Sequence, residues 1–146
     1  MKALKTTIIL FTLFLFSTSL MAGNFDKAAE EAIVKKTIEN YVQSMNKRNA
    51  DDLKDVLYSK SNFIKLNAIV NKVTESSASD FLKSLASGRL GFWKEVAISS
   101  VEVTEQMAHA TLNVATSNLK QIEYISLFKV DGTWKIVSVL STLEKE

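Results

Sequence analysis

The spacing of apolar residues changes near Gly91, and that change limits the fold more than any other feature of the chain. Between Asp26 and Lys47, Ala29, Ile33, Val34, Ile38, Tyr41, Val42 and Met45 recur at helical spacing with charged residues mostly elsewhere, which predicts an amphipathic helix. Asn49-Ala-Asp-Asp-Leu53 offers Asn and Asp caps to a second, short helix running through Leu57 and Tyr58. The tandem acids Asp51 and Asp52 suit the positive end of a helix dipole better than a metal. Phe63–Leu66 and Ile69–Val73 read as a small hairpin turning at Asn67-Ala68. Thr74 or Ser76 can cap a third helix, with Ala78, Phe81, Leu82 and Leu85 on one face and Gly88 at its end. After Gly91 the period is two. Val96 to Val103 forms a strand whose phase slips at Ser99-Ser100, a bulge signature. Ala108, Ala110, Leu112 and Val114 alternate with His109, Thr111 and Asn113 on the next strand. On the third, Ile122, Tyr124, Ser126, Phe128 and Val130 alternate with Glu123, Ile125, Leu127 and Lys129. Asp131-Gly132 turns the chain into a last strand, where Trp134, Ile136 and Leu140 alternate with Lys135, Val137 and Val139. Helices followed by a meander of antiparallel strands predict an α+β fold, a curved sheet closing over helices, and not a parallel βαβ fold.

The segment ahead of Gly23 has a different logic. Met1-Lys-Ala-Leu-Lys5 is cationic, Ile8–Phe16 is an unbroken apolar stretch but for one Thr, and Ser17-Thr-Ser-Leu-Met-Ala22 supplies small residues. That order is expected of a secretory signal peptide at 1–22 ahead of a single domain at 23–146, with cleavage after Ala22, or after Ser19 because Leu20 fits its position poorly. The apolar run is short for a membrane span, so no stable membrane insertion is expected after cleavage, and the mature protein should be periplasmic or secreted. Absence of cysteine is compatible with an oxidising compartment and leaves no thiol for lipid attachment.

Composition removes several functions. With no Cys and one His, a soft-metal site has almost no donors, and neither a metal nor a cofactor is expected. Net charge is +2, contributed by Lys2 and Lys5, so the rest of the chain is electroneutral and offers no phosphate footprint for nucleic acid.

Glu31-Ala-Ile-Val, Tyr41-Val, Asn49-Ala-Asp-Asp-Leu53 and above all Glu123-Tyr-Ile-Ser-Leu-Phe-Lys-Val-Asp-Gly-Thr-Trp-Lys-Ile-Val137 resemble the nuclear transport factor 2-like superfamily. Within it the nearest likeness is to the putative lumazine-binding family, over about Lys27 to Leu143. The resemblance implies a cone-shaped domain with a cavity between sheet and helices, commonly dimeric through the sheet. It also sets a catalytic test. Tyr41 aligns with the helix tyrosine of ketosteroid isomerase-like members, but their base position falls at about Leu66, which cannot accept a proton. Dehydratase-like members need a cavity histidine, whereas His109 lies in the polar phase of its strand. Epoxide hydrolase-like members use a buried Arg with two Asp, whereas Arg48 and Arg89 stand beside helix ends. None of these catalytic sets is complete, so a binding domain that does not turn over its ligand is expected.

An apolar or aromatic small molecule is the expected ligand, with Tyr41, Met45, Phe81, Trp93, Tyr124, Phe128 and Trp134 as candidate contacts. Tyr41 and Met45 share a helix face and Phe81 lies on the inner stripe of the third helix. The sheet side is open between two phases, Tyr124/Ser126/Phe128 and Trp134/Ile136. Gly88–Trp93 reads as a loop tucking its aromatics under the sheet or covering a ligand mouth, and Glu123 as pointing either to the pocket or to a dimer seam. Apolar residues on both faces of the last two strands predict a homodimer. An accessory interaction domain using its sheet face, or an enzyme with an unrecognised site, are the competing functions.

Overall fold

Asp26 opens the first helix by accepting the Ala29 N–H on its side chain at 3.1 Å. The computed structural model describes residues 25–90, 93–116 and 118–145, so the expected leader at 1–22 lies outside the described residues. Helix α1 (Lys27–Lys47) buries Val34, Ile38, Tyr41, Ser44 and Met45. Its buried stripe is narrower than the apolar pattern suggests, because Ala29 and Ile33 in its first two turns are exposed. Asn49 caps α2 (Ala50–Val56), accepting the N–H groups of Asp51 and Asp52, which places both acids in the first turn as expected. The second helix ends earlier than the pattern suggests. Leu57 is already extended and starts β1 (Leu57–Asn67), which turns through Ala68–Asn71 into β2 (Lys72–Ser77). Asn67 Oδ1 accepts the Ile69 N–H, and Asn71 adopts a left-handed φ of 48°, so Ile69 and Val70 belong to the turn and not to a strand. Ser77, not Thr74 or Ser76, caps α3 (Ala78–Ala86), whose end closes through Arg89 N–H to Ser84 and a Gly88 φ of 70°.

The remaining strands are β3 (Glu95–Val103), β4 (Met107–Ala115), β5 (Leu119–Val130) and β6 (Thr133–Lys145). They join one six-stranded sheet in the order β2-β1-β6-β5-β4-β3. The expected bulge in β3 is present as a register shift between Ile98 and Ser100. All neighbours are antiparallel except β1 and β6, which run parallel. The strands after Gly91, β3 to β6, form the expected antiparallel meander, while the parallel pairing of the first strand with the last has no local signature in sequence.

Register fixes which residues face the helices. On β4, Ala108, Ala110, Leu112 and Val114 are buried, and they pair with Leu127, Ile125, Glu123 and Gln121 of β5, which are buried too. Tyr124 and Phe128 are thereby turned to the outer face, where they are 54% and 47% exposed. On β6 a second irregularity shifts the alternation: Leu127 pairs with Ile136 but Ser126 with Ser138, so Val137 is the extra residue. Downstream of it Val139 and Ser141 face inward and Leu140 outward, the reverse of an uninterrupted alternation.

Helix α1 crosses the sheet at β3 and β6, while α3 covers β1 and β2. One end of the interior is closed by Trp134, whose indole N–H donates to Glu30 Oε2 at 2.7 Å while Lys129 donates to Glu30 Oε1. The Lys129 hydrogen bond, helped by that of Trp134, holds the Glu30 carboxyl below its ordinary pKa. The other end is open.

Candidate functional site

The open end is a cavity of about 440 Å³ between the inner face of β1, β5 and β6 and the helical side, within the range of small-molecule sites. Its apolar wall comes from Met45 of α1, Phe63 of β1, Phe81 of α3, Val139 and Leu143 of β6, and Leu90 and Trp93 after α3. Phe63 and Phe81 stack face to face at 3.8 Å between centroids, a rigid aromatic surface where the two elements meet. Thr74, Ser76, Ser84 and Thr116 add hydroxyls, and Lys65 of β1 adds a half-buried ammonium-bearing chain.

The buried polar wall is made by the sheet. Gln121, Glu123 and Ser141 are all buried and all border the cavity, with Glu123 opposite Ser141 across the β5–β6 ladder. Tyr41, fully buried on α1, donates its hydroxyl to Glu123 Oε2 at 3.1 Å, and Gln121 Nε2 donates to Oε1 at 2.5 Å. Trp93 fixes the tyrosine from the side, its ring meeting the Tyr41 ring edge-on at 5.6 Å. Removal from water pushes the Glu123 carboxyl up to about 7, against the pull of these two hydrogen bonds and of Lys65 acting through space. Burial likewise drives the Tyr41 hydroxyl well above its ordinary value, and the nearby Glu123 charge adds to the effect. The site therefore presents one acid, able to change protonation near neutrality, in a chamber of apolar walls interspersed with hydroxyls, Gln121 and Lys65.

Of the seven residues singled out from sequence, Met45, Phe81 and Trp93 border the cavity. Tyr41 stands behind the wall and reaches the site through Glu123. Tyr124 and Phe128 are corrected to the outer face, because register with β4 gives the inner face to Glu123, Ile125 and Leu127. Trp134 is on the inner face but at the closed end, held by Glu30 and away from the cavity. Phe128 and Trp134 therefore cannot contact one ligand together, since one faces out and the other in. Glu123, whose direction the sequence left open, points to the pocket. Gln121 and Ser141 were missed, although an acid and an amide in phase with Ile125 and Leu127 were a readable signal.

The other residues weighed in the sequence lie elsewhere. Leu66 is half-buried on β1 outside the cavity wall. His109 is exposed on the outer face, its Nδ1 3.2 Å from Ser126 Oγ. Arg48 and Arg89 are exposed, and Arg89 Nε donates to Ser87 Oγ. In the Gly88–Trp93 loop, Gly91 and Phe92 lie outside the described residues, and Trp93 both packs on Tyr41 and borders the cavity. Among the described residues, no group of three or more His, Asp or Glu could hold a metal, and no helix is long and apolar enough to cross a membrane.

This cavity-bearing α+β architecture coincides with a sequence match to the model of the putative lumazine-binding family over residues 29–140. The chain belongs to that family. Solved structures agree on the superfamily fold. A nuclear transport factor 2-like protein of unknown function from Shewanella baltica superposes with a TM-score of 0.74 at 16% identity, covering 84% of this chain and all 100% of the other. A second such protein, from Methylobacillus flagellatus, gives 0.71 at 16% identity, covering 82% and 96%. A ketosteroid isomerase-like protein from Erwinia carotovora atroseptica gives 0.64 at 12% identity, covering 78% and 95%. At such identities these likenesses establish the nuclear transport factor 2-like fold alone. No curated protein matches the chain.

Proposed function

We propose that this protein is exported and that its mature domain, from about Gly23, is a binding module holding one small apolar or aromatic molecule in the cavity. The observation that carries the reading is a cavity with an apolar wall of Met45, Phe63, Phe81 and Trp93 facing the buried polar groups Glu123, Gln121 and Ser141 of the sheet. Such a site binds by burial and shape, while the polar wall orients the ligand. The family description, lumazine-binding, supports a small-molecule ligand in general terms. Export is inferred from the order of the first residues, Lys2 and Lys5, the Ile8–Phe16 run and the small residues before Gly23.

Native mass spectrometry on protein recovered from the exported fraction tests both parts. A mature chain beginning within a few residues of Gly23 and carrying a retained small molecule is the expected result. An intact Met1 in the membrane pellet rejects cleavage, and a ligand-free chain with a stoichiometric protein partner gives first place to the interaction-domain reading.

A homodimer, the separate expectation for the sheet, has its own observation. Met107, Tyr124, Phe128 and Leu140 are all large, apolar and at least 41% exposed, and Met107/Phe128 and Tyr124/Leu140 are cross-strand pairs. We assign this outer face to self-association as a homodimer, in which the two sheets cover each other's apolar residues.

A further inference from the structure

The donors and acceptors around Glu123 narrow the ligand class further. Tyr41 spends its single hydroxyl hydrogen on Oε2 and Gln121 spends an amide hydrogen on Oε1. Each carboxylate oxygen can accept more than one hydrogen bond, so this wall retains acceptor capacity on its most deeply buried charge-bearing group. The groups facing it from the surrounding elements are Tyr41 on α1, Gln121 on its own strand, Ser141 across on β6 and Leu112 across on β4, none of them a cation. The positive charge acting on it is Lys65 of β1, through space, and that long side chain can turn its ammonium toward water. The two donors that touch Glu123, Tyr41 and Gln121, are both neutral, and Lys65 acts on it only from a distance.

We propose that the cavity selects an apolar molecule bearing a protonated amine, with the ammonium seated on the Glu123 carboxylate and the apolar body against Phe63, Phe81 and Trp93. This inference rests on the binding-module reading and adds the ligand's head group to it. An ammonium donates where the wall accepts, and it would put a positive charge in contact with a buried carboxylate that Lys65 reaches only through space. Lys65 is the one element of the wall opposed to a cation, and its freedom to swing outward limits that opposition. The carboxyl prefers its neutral form below neutrality, so an amine must compete with a proton for the site. Affinity for an amine therefore rises with pH until Glu123 is ionised. A ligand whose carbonyl accepted a hydrogen bond from protonated Glu123 would show the reverse.

Isothermal titration of the whole mature chain with phenylbutylamine, phenylbutanol and phenylbutyrate tests this, because the three share one apolar body and differ in head group. Phenylbutylamine is expected to bind tightest, with an affinity rising about fifteenfold from about pH 5.5 to about pH 7 and levelling above about pH 8. Phenylbutanol should bind more weakly with no such slope. Glu123→Gln should erase both the amine's advantage and the slope; if that variant does not fold, the head-group ranking and the wild-type pH profile decide the matter alone. Equal or tighter binding of the alcohol or the acid, or an amine affinity that falls with pH, overturns the proposal while leaving a binding cavity. Failure of all three probes to bind overturns the amine site together with the binding-module reading.

Discussion

Tyr41 and Glu123 are separated by 82 residues of sequence, yet the tyrosine hydroxyl donates to Glu123 Oε2 at 3.1 Å in the interior between α1 and β5. Neither residue is more than 3% exposed. A buried carboxylate without such donors would be too costly to ionise, and one paired with a contacting cation would be ionised throughout the neutral range. Two neutral donors leave it between these limits. The pair thus joins the helical half of the chain to the sheet half and sets the electrostatic character of the cavity.

Tyr41→Phe keeps the ring packed on Trp93 while removing the hydroxyl. The loss of a donor should destabilise the fold by about 1 kcal/mol and move the Glu123 carboxyl to a still higher pKa, because the hydrogen bond from Tyr41 favours its ionised form. A carbon-detected NMR titration of the Glu123 carboxyl reads the shift directly. An unchanged titration would show that the hydroxyl does not tune this acid.

The pH dependence of stability has a definite sign. Glu123 has its folded-state pKa raised from 4.5 to about 7, so the folded chain binds more protons than the unfolded chain in this interval. Its contribution is fully present below about pH 4.5 and is lost as pH rises through about 7, a change on the order of 3 kcal/mol. Denaturant midpoints of wild type and Glu123→Gln should accordingly converge or cross as pH rises from about 5 to about 8, the glutamine variant lacking this slope. Parallel curves for the two proteins would exclude burial as the source of the shift.

Trp134→Phe deletes the indole N–H that donates to Glu30 Oε2 but leaves Lys129 in place. A loss of about 1 kcal/mol in unfolding free energy is expected. Probe binding in the cavity should not change, because Trp134 belongs to the closed end of the interior. A matching loss of affinity would return Trp134 to the binding site.

Replacing Tyr124 and Leu140 together by Glu puts like charges on adjacent strands in the middle of the outer apolar face. Sedimentation velocity should show the wild-type mature chain at twice its monomer mass and the double variant as a monomer with unchanged circular dichroism. A monomeric wild type at micromolar concentration removes the dimer and leaves the exposed aromatic face to another partner.

What the sequence determined by itself was periodic and local. Helical spacing marked α1 and the inner stripe of α3, alternation marked β3 through β6, and Asn49 and Asp131-Gly132 marked a cap and a turn through their own backbone chemistry. The phase slip at Ser99-Ser100 was legible because two polar residues interrupted an apolar alternation, whereas the Val137 irregularity was hidden among residues apolar on both faces. Met45, Phe81 and Trp93 could be assigned to the cavity because each sits on an apolar stripe or in an aromatic loop facing the interior. Only the tertiary structure decided which phase of β5 turns inward. A strand offers two faces one residue out of phase, and the choice depends on pairing with β4, where the small and aliphatic Ala108, Ala110 and Leu112 meet Leu127, Ile125 and Glu123. Aromatic bulk suggested Tyr124 and Phe128 for the pocket, but register placed Glu123 there, and the parallel contact of β1 with β6 closed a cavity around it. Burial by strands distant in sequence is what converts an ordinary glutamate into an acid that titrates near 7.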